Sequence, residues 1–428
     1  KRLLEQPSFE LQHVYRSLEI IAKESDYIQS QLYKNSLSIS KRNDRILYYD
    51  CTNYFFEIEQ EDGLKQYGVS KEHRPNPIVE MGLFMDGDGI PLAFSIHSGN
   101  TNEQVTLKPL EKQIIDDFKL SKFVVCTDAG LSSNDNRKFN DIGERSFITT
   151  QSVKKLKKHL KEWALSPEEW THPITKEIFN ISKFDKDESL YEKYKNTTFF
   201  KERWIKENGL EQKLIVTYSL KYRGYQRQIR CKQLERATKL INNDPKNINK
   251  KRPNDFKRFI ATTNVTDDGE IAKNLVHHVN EDAIAKEAMY DGFYAVCTNL
   301  EDDASEIAKI NHRRWEIEEC FRIMKSEFKA RPVFLRNDDR IEAHFTTCFL
   351  ALVLYRYLEK ALDSKFTTNE IVTQLRDMNF YSVPEEGFMP IYTRTDFTDA
   401  LHEAFGFRTD YEIVSNKEMK KIYKTTKK

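Results

Sequence analysis

The sequence predicts a mixed α/β fold on three observations. Short runs rich in aromatic and β-branched residues, such as those at 45–59 and 123–131, read as strands bounded by turn residues. Longer stretches, at 11–28 and 304–329, repeat apolar residues at helical spacing. Two of the strand-like runs close on an aspartate, Asp50 in LYYDCT and Asp128 in VVCTDAG. The end of a strand is a favoured place for functional groups in α/β folds.

Residues 1–40 read as helical, with Leu11, Val14, Tyr15, Leu18, Ile21 and Ile28 at helical spacing. The run at 45–59 reads as a strand leading through a turn into a second strand, and 78–100 as a hairpin turning at Asp86-Gly87-Asp88-Gly89. The same four residues invite a calcium-loop reading. The remaining ligand positions are absent, so turn chemistry is preferred. A helix is expected at 107–120, a buried strand at 123–131 and a short strand at 146–150. From about 151 to 285 the character changes. Three of the four tryptophans (Trp163, Trp170, Trp204), a basic segment and strand-like runs at 214–220 and 256–264 mark an inserted, partly β region. A strand at 293–299 and helices at 304–329 and 341–360 follow. The polar residues after 365 read as a tail of short helices with a lysine-rich end that frays.

A chain of 428 residues suggests two to four domains, and 39% hydrophobic residues suffice for real cores. The net charge of +1 says nothing about partners, but its distribution does. Residues 221–258 hold thirteen Lys and Arg against Glu235, Asp244 and Asp255, a local net of +10. That segment suits a polyanion or a solvated lysine-rich surface. Neutralising Arg223, Arg227 and Arg230 is expected to weaken binding if the segment tracks phosphates. The six cysteines show no metal-knuckle spacing and read as reduced core residues of a cytosolic protein. No signal peptide is read. The longest apolar stretch, at 345–358, is too short and too polar to span a bilayer. The chain begins at Lys1 rather than at Met, which leaves room for a preceding segment.

The segment RRWEIEECFRIMK, at 313–325, places Arg314, Glu318 and Lys325 four and seven residues apart. On one α-helix these side chains fall within roughly 40° of one another. Ile310, Ile317, Phe321, Met324 and Phe328 form an apolar stripe beside them. A carboxylate lined up between two cations suits a site for metal and phosphate; a solvated face with i,i+4 pairs gives the same pattern. The distant aspartates favour the first reading. A carboxylate at a strand's end is costly to bury unless it binds a cation. Three convergent carboxylates suit Mg²⁺ or Mn²⁺. Two such ions about 4 Å apart activate a hydroxyl and stabilise the leaving oxygen of an in-line displacement.

With these motifs in place, the sequence resembles the DDE transposases of bacterial insertion sequences, in the branch marked by Y-x2-R-x3-E-x6-K. Arg314, Glu318 and Lys325 match R, E and K at the required spacing, while Asn311 stands where the branch has Tyr. Residues 67–103 resemble the family's hairpin after the first Asp, VVCTDAGLSS its second-Asp strand, and 329–352 its region after the Glu. The strong similarity spans about 45–150 and 290–355.

The resemblance implies an RNase H-like mixed-sheet core, interrupted by a partly β insertion domain and flanked by helical terminal regions. The corresponding segments are an N-terminal helical region (1–44), a first core segment (45–150), a basic insertion (151–285), a second core segment with the Glu-bearing helix (286–360) and a C-terminal helical tail (361–428). It implies end cleavage and 3′-hydroxyl strand transfer on double-stranded DNA, with Asp50, Asp128 and Glu318 holding Mg²⁺ or Mn²⁺ as two ions. Arg314 and Lys325 would contact phosphates near the scissile bond. It further implies a homodimer on DNA, in the bacterial cytoplasm at the nucleoid, with no membrane. Trp315 and Arg322 flank the charged arc and are candidates for DNA contact; Trp315 also suits core packing. One of Trp163, Trp170 and Trp204 is a candidate for stacking on a flipped base, and Arg74 is either a phosphate ligand or a turn residue. Two other readings stand beside transposition: a domesticated derivative that only binds DNA, and an RNase H-like nuclease that cuts without joining.

Overall fold

The computed structural model describes residues 8–243, 248, 255–265 and 271–426. Portions of the basic segment (244–247 and 249–254), the start of the N-terminal region (1–7) and the last two lysines lie outside the described residues. In chain order the strands are β1 (Ile46–Phe55), β2 (Ile78–Asp86), β3 (Pro91–Ser98), β4 (Val124–Thr127), β5 (Ser146–Gln151), β6 (Trp170–Thr171), β7 (Ile178–Phe179), β8 (Thr198–Glu207), β9 (Leu210–Ser219), β10 (Ile260–Val265), β11 (Ile271–Val279), β12 (Phe293–Thr298), β13 (Phe380–Val383), β14 (Gly387–Pro390) and β15 (Val414–Ser415). The helices are α1 (Leu11–Lys23), α2 (Ser25–Ser36), α3 (Glu103–Asp117), α4 (Asn134–Phe139), α5 (Lys158–Leu165), α6 (Glu188–Tyr194), α7 (Leu220–Asn243), α8 (Glu281–Ala288), α9 (Ala304–His312), α10 (Trp315–Arg322), α11 (Asp338–Ala361), α12 (Thr368–Asp377), α13 (Asp396–Phe405) and α14 (Asn416–Thr426). The chain divides into two units, one of Lys1–Val125 with Arg314–Lys428 and one of Cys126–Arg313.

The first unit is built on an antiparallel meander in the order β3-β2-β1. The Val124 N–H donates to Arg45 O at 2.8 Å, which brings the start of β4 beside the start of β1. Side chains alternate across β1 with period two. Tyr49 and Cys51 face α3, where the Tyr49 hydroxyl meets Thr106 Oγ1 at 2.6 Å. Gly82 lies opposite Cys51, and a Cβ there would stand 2.2 Å from the Tyr49 hydroxyl, so the close approach requires glycine. Thr52 and Tyr54 face the other way. The Tyr54 ring lies 4.8 Å from that of Phe345 on α11. Helices thus cover both faces of the meander, which is how an apolar sheet is buried in mixed folds. The Asp86–Gly89 turn is structural, as expected. The Asp86 carboxylate accepts from Arg42 Nε at 2.6 Å, and Arg356 donates to Gly89 O at 2.8 Å.

Three sequence expectations change in this unit. The run at 45–59 forms one strand, β1, and not two strands about a turn, because pairing with β2 runs unbroken from Leu47 to Phe55. Helix α3 starts at Glu103 rather than near 107, because the Asn102 side chain caps it by accepting the Gln104 N–H at 3.0 Å. The segment after 365 carries the expected short helices and, beyond that expectation, a sheet of β13, β14 and β15, with Phe397, Leu401 and Val414 buried. The alternation in strands of two to four residues is too short to register as a pattern.

The second unit carries strands in the order β5-β12-β9-β8-β6-β7, all antiparallel, over a core of Phe147, Trp170, Phe199, Val216, Tyr218 and Ala295. Strands β10 and β11 pair separately. The basic stretch after β9 forms α7, a 24-residue helix that the reading of this region as partly β did not anticipate. Five of the six cysteines are buried and all are free; Cys231 on α7 is exposed, against the expectation of a core residue. Among the described residues no helix is long and apolar enough to cross a membrane.

Candidate nucleic-acid active site

The expected helix at 304–329 is three pieces. Helix α9 ends at His312, a turn at Arg313 and Arg314 follows, and α10 runs from Trp315 to Arg322. A π-helical turn at Ile323–Glu327 then closes with an i→i+5 bond, Phe328 N–H to Ile323 O at 3.1 Å. The 40° arc of Arg314, Glu318 and Lys325 assumed one unbroken α-helix, and the π turn departs from that phase at Lys325. Such turns cluster at functional sites.

The π turn puts Lys325 over β1. Its Nζ donates to Thr52 Oγ1 at 2.7 Å and lies 5.2 Å from the centre of the Tyr54 ring. The adjacent Met324 Sδ accepts from the Tyr54 hydroxyl at 3.7 Å. Asp50, Thr52 and Tyr54 share one face of β1 by their spacing of two. Thus α10 and the π turn pack on the face that carries Asp50. The Lys325 side chain is only 13% exposed. Burial, then the charge of Lys71, pull its ammonium down to a pKa of about 8.

Asp50 is half-buried midway along β1 and not at a strand's end as expected, because the ladder with β2 continues to Phe55; its Oδ1 accepts the Cys51 N–H at 2.8 Å. Glu318 is exposed, 3.7 Å from Arg314, whose side chain is 17% exposed. Trp315 is exposed rather than packed in the core, and exposed Arg322 donates to Glu319 at 2.8 Å. Arg74 stacks over Phe55 at 4.3 Å. Sequence reading missed Thr52, Lys71, Glu72 and Arg331. Lys71 lies 2.7 Å from Glu103, and Glu72 meets both Lys325 and Arg331. The only signal for the loop pair was the charge run Lys71–Arg74 between two strands.

A buried acid lies beneath this site. Glu80 on β2 is 3% exposed and pairs in register with Asn53. Its Oε1 has no hydrogen-bond partner, and Asn53 Nδ2 is 3.5 Å from its Oε2. Burial, reinforced by the Glu103 carboxylate, pushes its pKa up to about 8.

In the second unit, Asp128 is half-buried just beyond β4. Its Oδ1 accepts the Leu131 N–H at 3.0 Å and its carbonyl accepts from Thr149 Oγ1 at 3.3 Å. Asn311, at the expected tyrosine position, is buried and donates to the Tyr294 hydroxyl of β12 at 3.0 Å. Trp170 is fully buried and donates to Ser166 O at 2.9 Å, which removes it as a stacking platform; Trp204 is exposed. On α7, Arg223 pairs with Asp185 at 2.8 Å, and Arg230 grips both oxygens of buried Asp291. Arg227 is 55% exposed and 3.8 Å from Asp291. Two of the three arginines expected to meet DNA thus point inward. The exposed cations Lys221, Lys232, Arg236 and Lys239 recur at helical spacing on the opposite face.

The carboxylate oxygens of Asp50, Asp128 and Glu318 are the right donor type for Mg²⁺. Among the described residues, however, no three His, Cys, Asp or Glu side chains are grouped to hold an ion.

No curated protein matches the chain. A solved structure of the piggyBac transposase synaptic complex with hairpin DNA matches at 7% identity and a TM-score of 0.32, covering 80% of this chain and 59% of that one. The chain thus spans less than two thirds of that protein's length. The family model for the transposase DDE domain matches residues 55–354, a span that includes Asp128, Arg314, Glu318 and Lys325 and begins just after Asp50. The chain belongs to the DDE-domain transposase family.

Proposed function

We propose that this protein is an active DNA transposase of the insertion-sequence branch, with an RNase H-like core. It cleaves the ends of a mobile element and joins the freed 3′-hydroxyl to target DNA. The observation that carries the reading is the seating of Lys325 on Thr52, on the face of β1 that bears Asp50 and beneath the helix that bears Glu318. That arrangement supports an acid and a phosphate-binding cation acting at one point on a DNA strand.

Asp50, Asp128 and Glu318 would hold Mg²⁺ or Mn²⁺. When bound, such an ion lowers the pKa of an attacking water or hydroxyl and stabilises the leaving oxygen. Lys325, half-desolvated, offers a point charge to a phosphate, and Arg314 a planar fork of donors. The exposed stripe of α7 would track the duplex backbone without reading its sequence. A homodimer holding two DNA ends fits this chemistry.

A supercoiled plasmid carrying the element's ends, incubated with the protein and Mg²⁺, tests the reading. Nicking followed by joined products is expected. Nicking without joining from precut ends would instead favour a nuclease, and binding without nicking a DNA-binding derivative.

A further inference from the structure

Glu72 lies between two cations. Its Oε1 is 3.6 Å from Lys325 Nζ and in direct contact with an Arg331 guanidinium nitrogen. All three side chains are partly buried, at 21%, 13% and 28% exposed. Lys325 is part of the π turn, and Arg331 is in a loop whose neighbours are tied by backbone bonds. Lys325 follows the buried Ile323 and Met324. Arg331 lies between Ala330, whose N–H donates to Met324 O at 3.0 Å, and Val333, whose N–H donates to Phe55 O at 3.1 Å. Glu72 sits in a turn between β1 and β2 that belongs to neither strand, anchored by its N–H to Ser70 Oγ at 3.3 Å.

Two cations converging on one oxygen have the stereochemistry of an oxyanion site, and a guanidinium beside an ammonium suits phosphate as well as carboxylate. We propose that Lys325 and Arg331 form a phosphodiester-binding pair that Glu72 closes in the DNA-free protein, and that DNA displaces Glu72. This rests on the transposase reading. Arg331 becomes a DNA ligand that the signature does not contain. Glu72 becomes a stand-in for phosphate that weakens binding of DNA of any sequence. Its negative charge opposes an incoming phosphate, and its departure breaks its contacts with both cations.

The test is equilibrium binding of a random-sequence duplex by fluorescence anisotropy, for wild type, Glu72→Gln, Arg331→Ala, Arg331→Lys and Lys325→Ala/Arg331→Ala with and without Glu72→Gln. Glu57→Gln, at an exposed site, controls for net charge. Glu72→Gln is expected to tighten binding by about 3- to 10-fold, the size of a modest like-charge penalty. The gain should vanish in the doubly cation-deleted background. Arg331→Ala should weaken binding by a similar factor and Arg331→Lys should restore some of it. If Glu72→Gln binds no tighter than Glu57→Gln, or Arg331→Ala binds as wild type, the inference is wrong while the transposase reading stands. If Glu72→Gln does not fold, the Arg331 pair decides alone. If wild type binds no DNA, both readings fall together.

Discussion

Two arginine- and lysine-bearing helical segments, α7 in one unit and Arg314–Glu327 in the other, look alike as sequence and differ as structure. Both alternate cations with apolar residues. In α7 the inward arginines are taken up by Asp185 and Asp291, and the cations left for a partner are on the opposite, solvated face. In the second segment the π turn sinks Lys325 against Thr52, where desolvation disfavours its charge. Charge density in a sequence counts cations; burial and pairing decide which of them remain available. A long-range, salt-sensitive role suits the exposed stripe, and a short-range role at one phosphate suits Lys325.

The largest effect that separates the two regions is on stability. Arg230→Gln should destabilise the protein by about 3 kcal/mol, because it strands the buried carboxylate of Asp291. Adding Asp291→Asn should recover most of the loss in urea unfolding. A neutral Arg230→Gln would mean that this arginine is free to meet DNA after all.

Next, replacing Lys221, Lys232, Arg236 and Lys239 together with Gln should leave the melting temperature unchanged. It should lower DNA affinity by on the order of 10²-fold at 0.1 M salt and reduce the slope of log K against log salt by about 3–4. An unchanged slope would remove α7 from the DNA interface.

A smaller effect belongs to Glu80. Its folded pKa of about 8 lies above its ordinary value, so its contribution to stability is full at low pH and is lost as pH rises toward 8. Glu80→Gln should therefore raise stability by on the order of 1 kcal/mol at pH 8 and change little at pH 4, read by thermal melts. A gain at both pH values would mean that packing, not titration, governs the site. The smallest effect concerns Lys325. A phosphate restores the proton that burial disfavours, so DNA affinity should fall gradually as pH rises through 8 to 10, and Lys325→Arg should flatten that fall. A pH dependence that survives in Lys325→Arg would assign the proton elsewhere.

Much of this fold was legible because its signals are local. The strand-end position of Asp128 and the turn at Asp86–Gly89 follow from residue patterns within a few positions. Elements set by tertiary context were not legible. The break at Arg313–Arg314 and the π turn at Ile323–Glu327 interrupt an unbroken helical periodicity, and nothing in the apolar spacing marks them. The orientation of α7 depends on Asp185 and Asp291, acids that lie 38 and 61 residues from their partners Arg223 and Arg230. The site was legible as acid and cation types at a known spacing. Thr52, Glu72 and Arg331 were not, because each matters only through what folding brings beside Lys325.

Asp50 is proposed to act at the cleaved phosphate although the family match begins after it. The most direct test is Mg²⁺-dependent plasmid nicking by Asp50→Asn, a near-isosteric change that removes only the charge, beside wild type. DNA binding close to wild type and a nicking rate lower by at least about 10³-fold are expected. Nicking by Asp50→Asn at the wild-type rate would contradict that role.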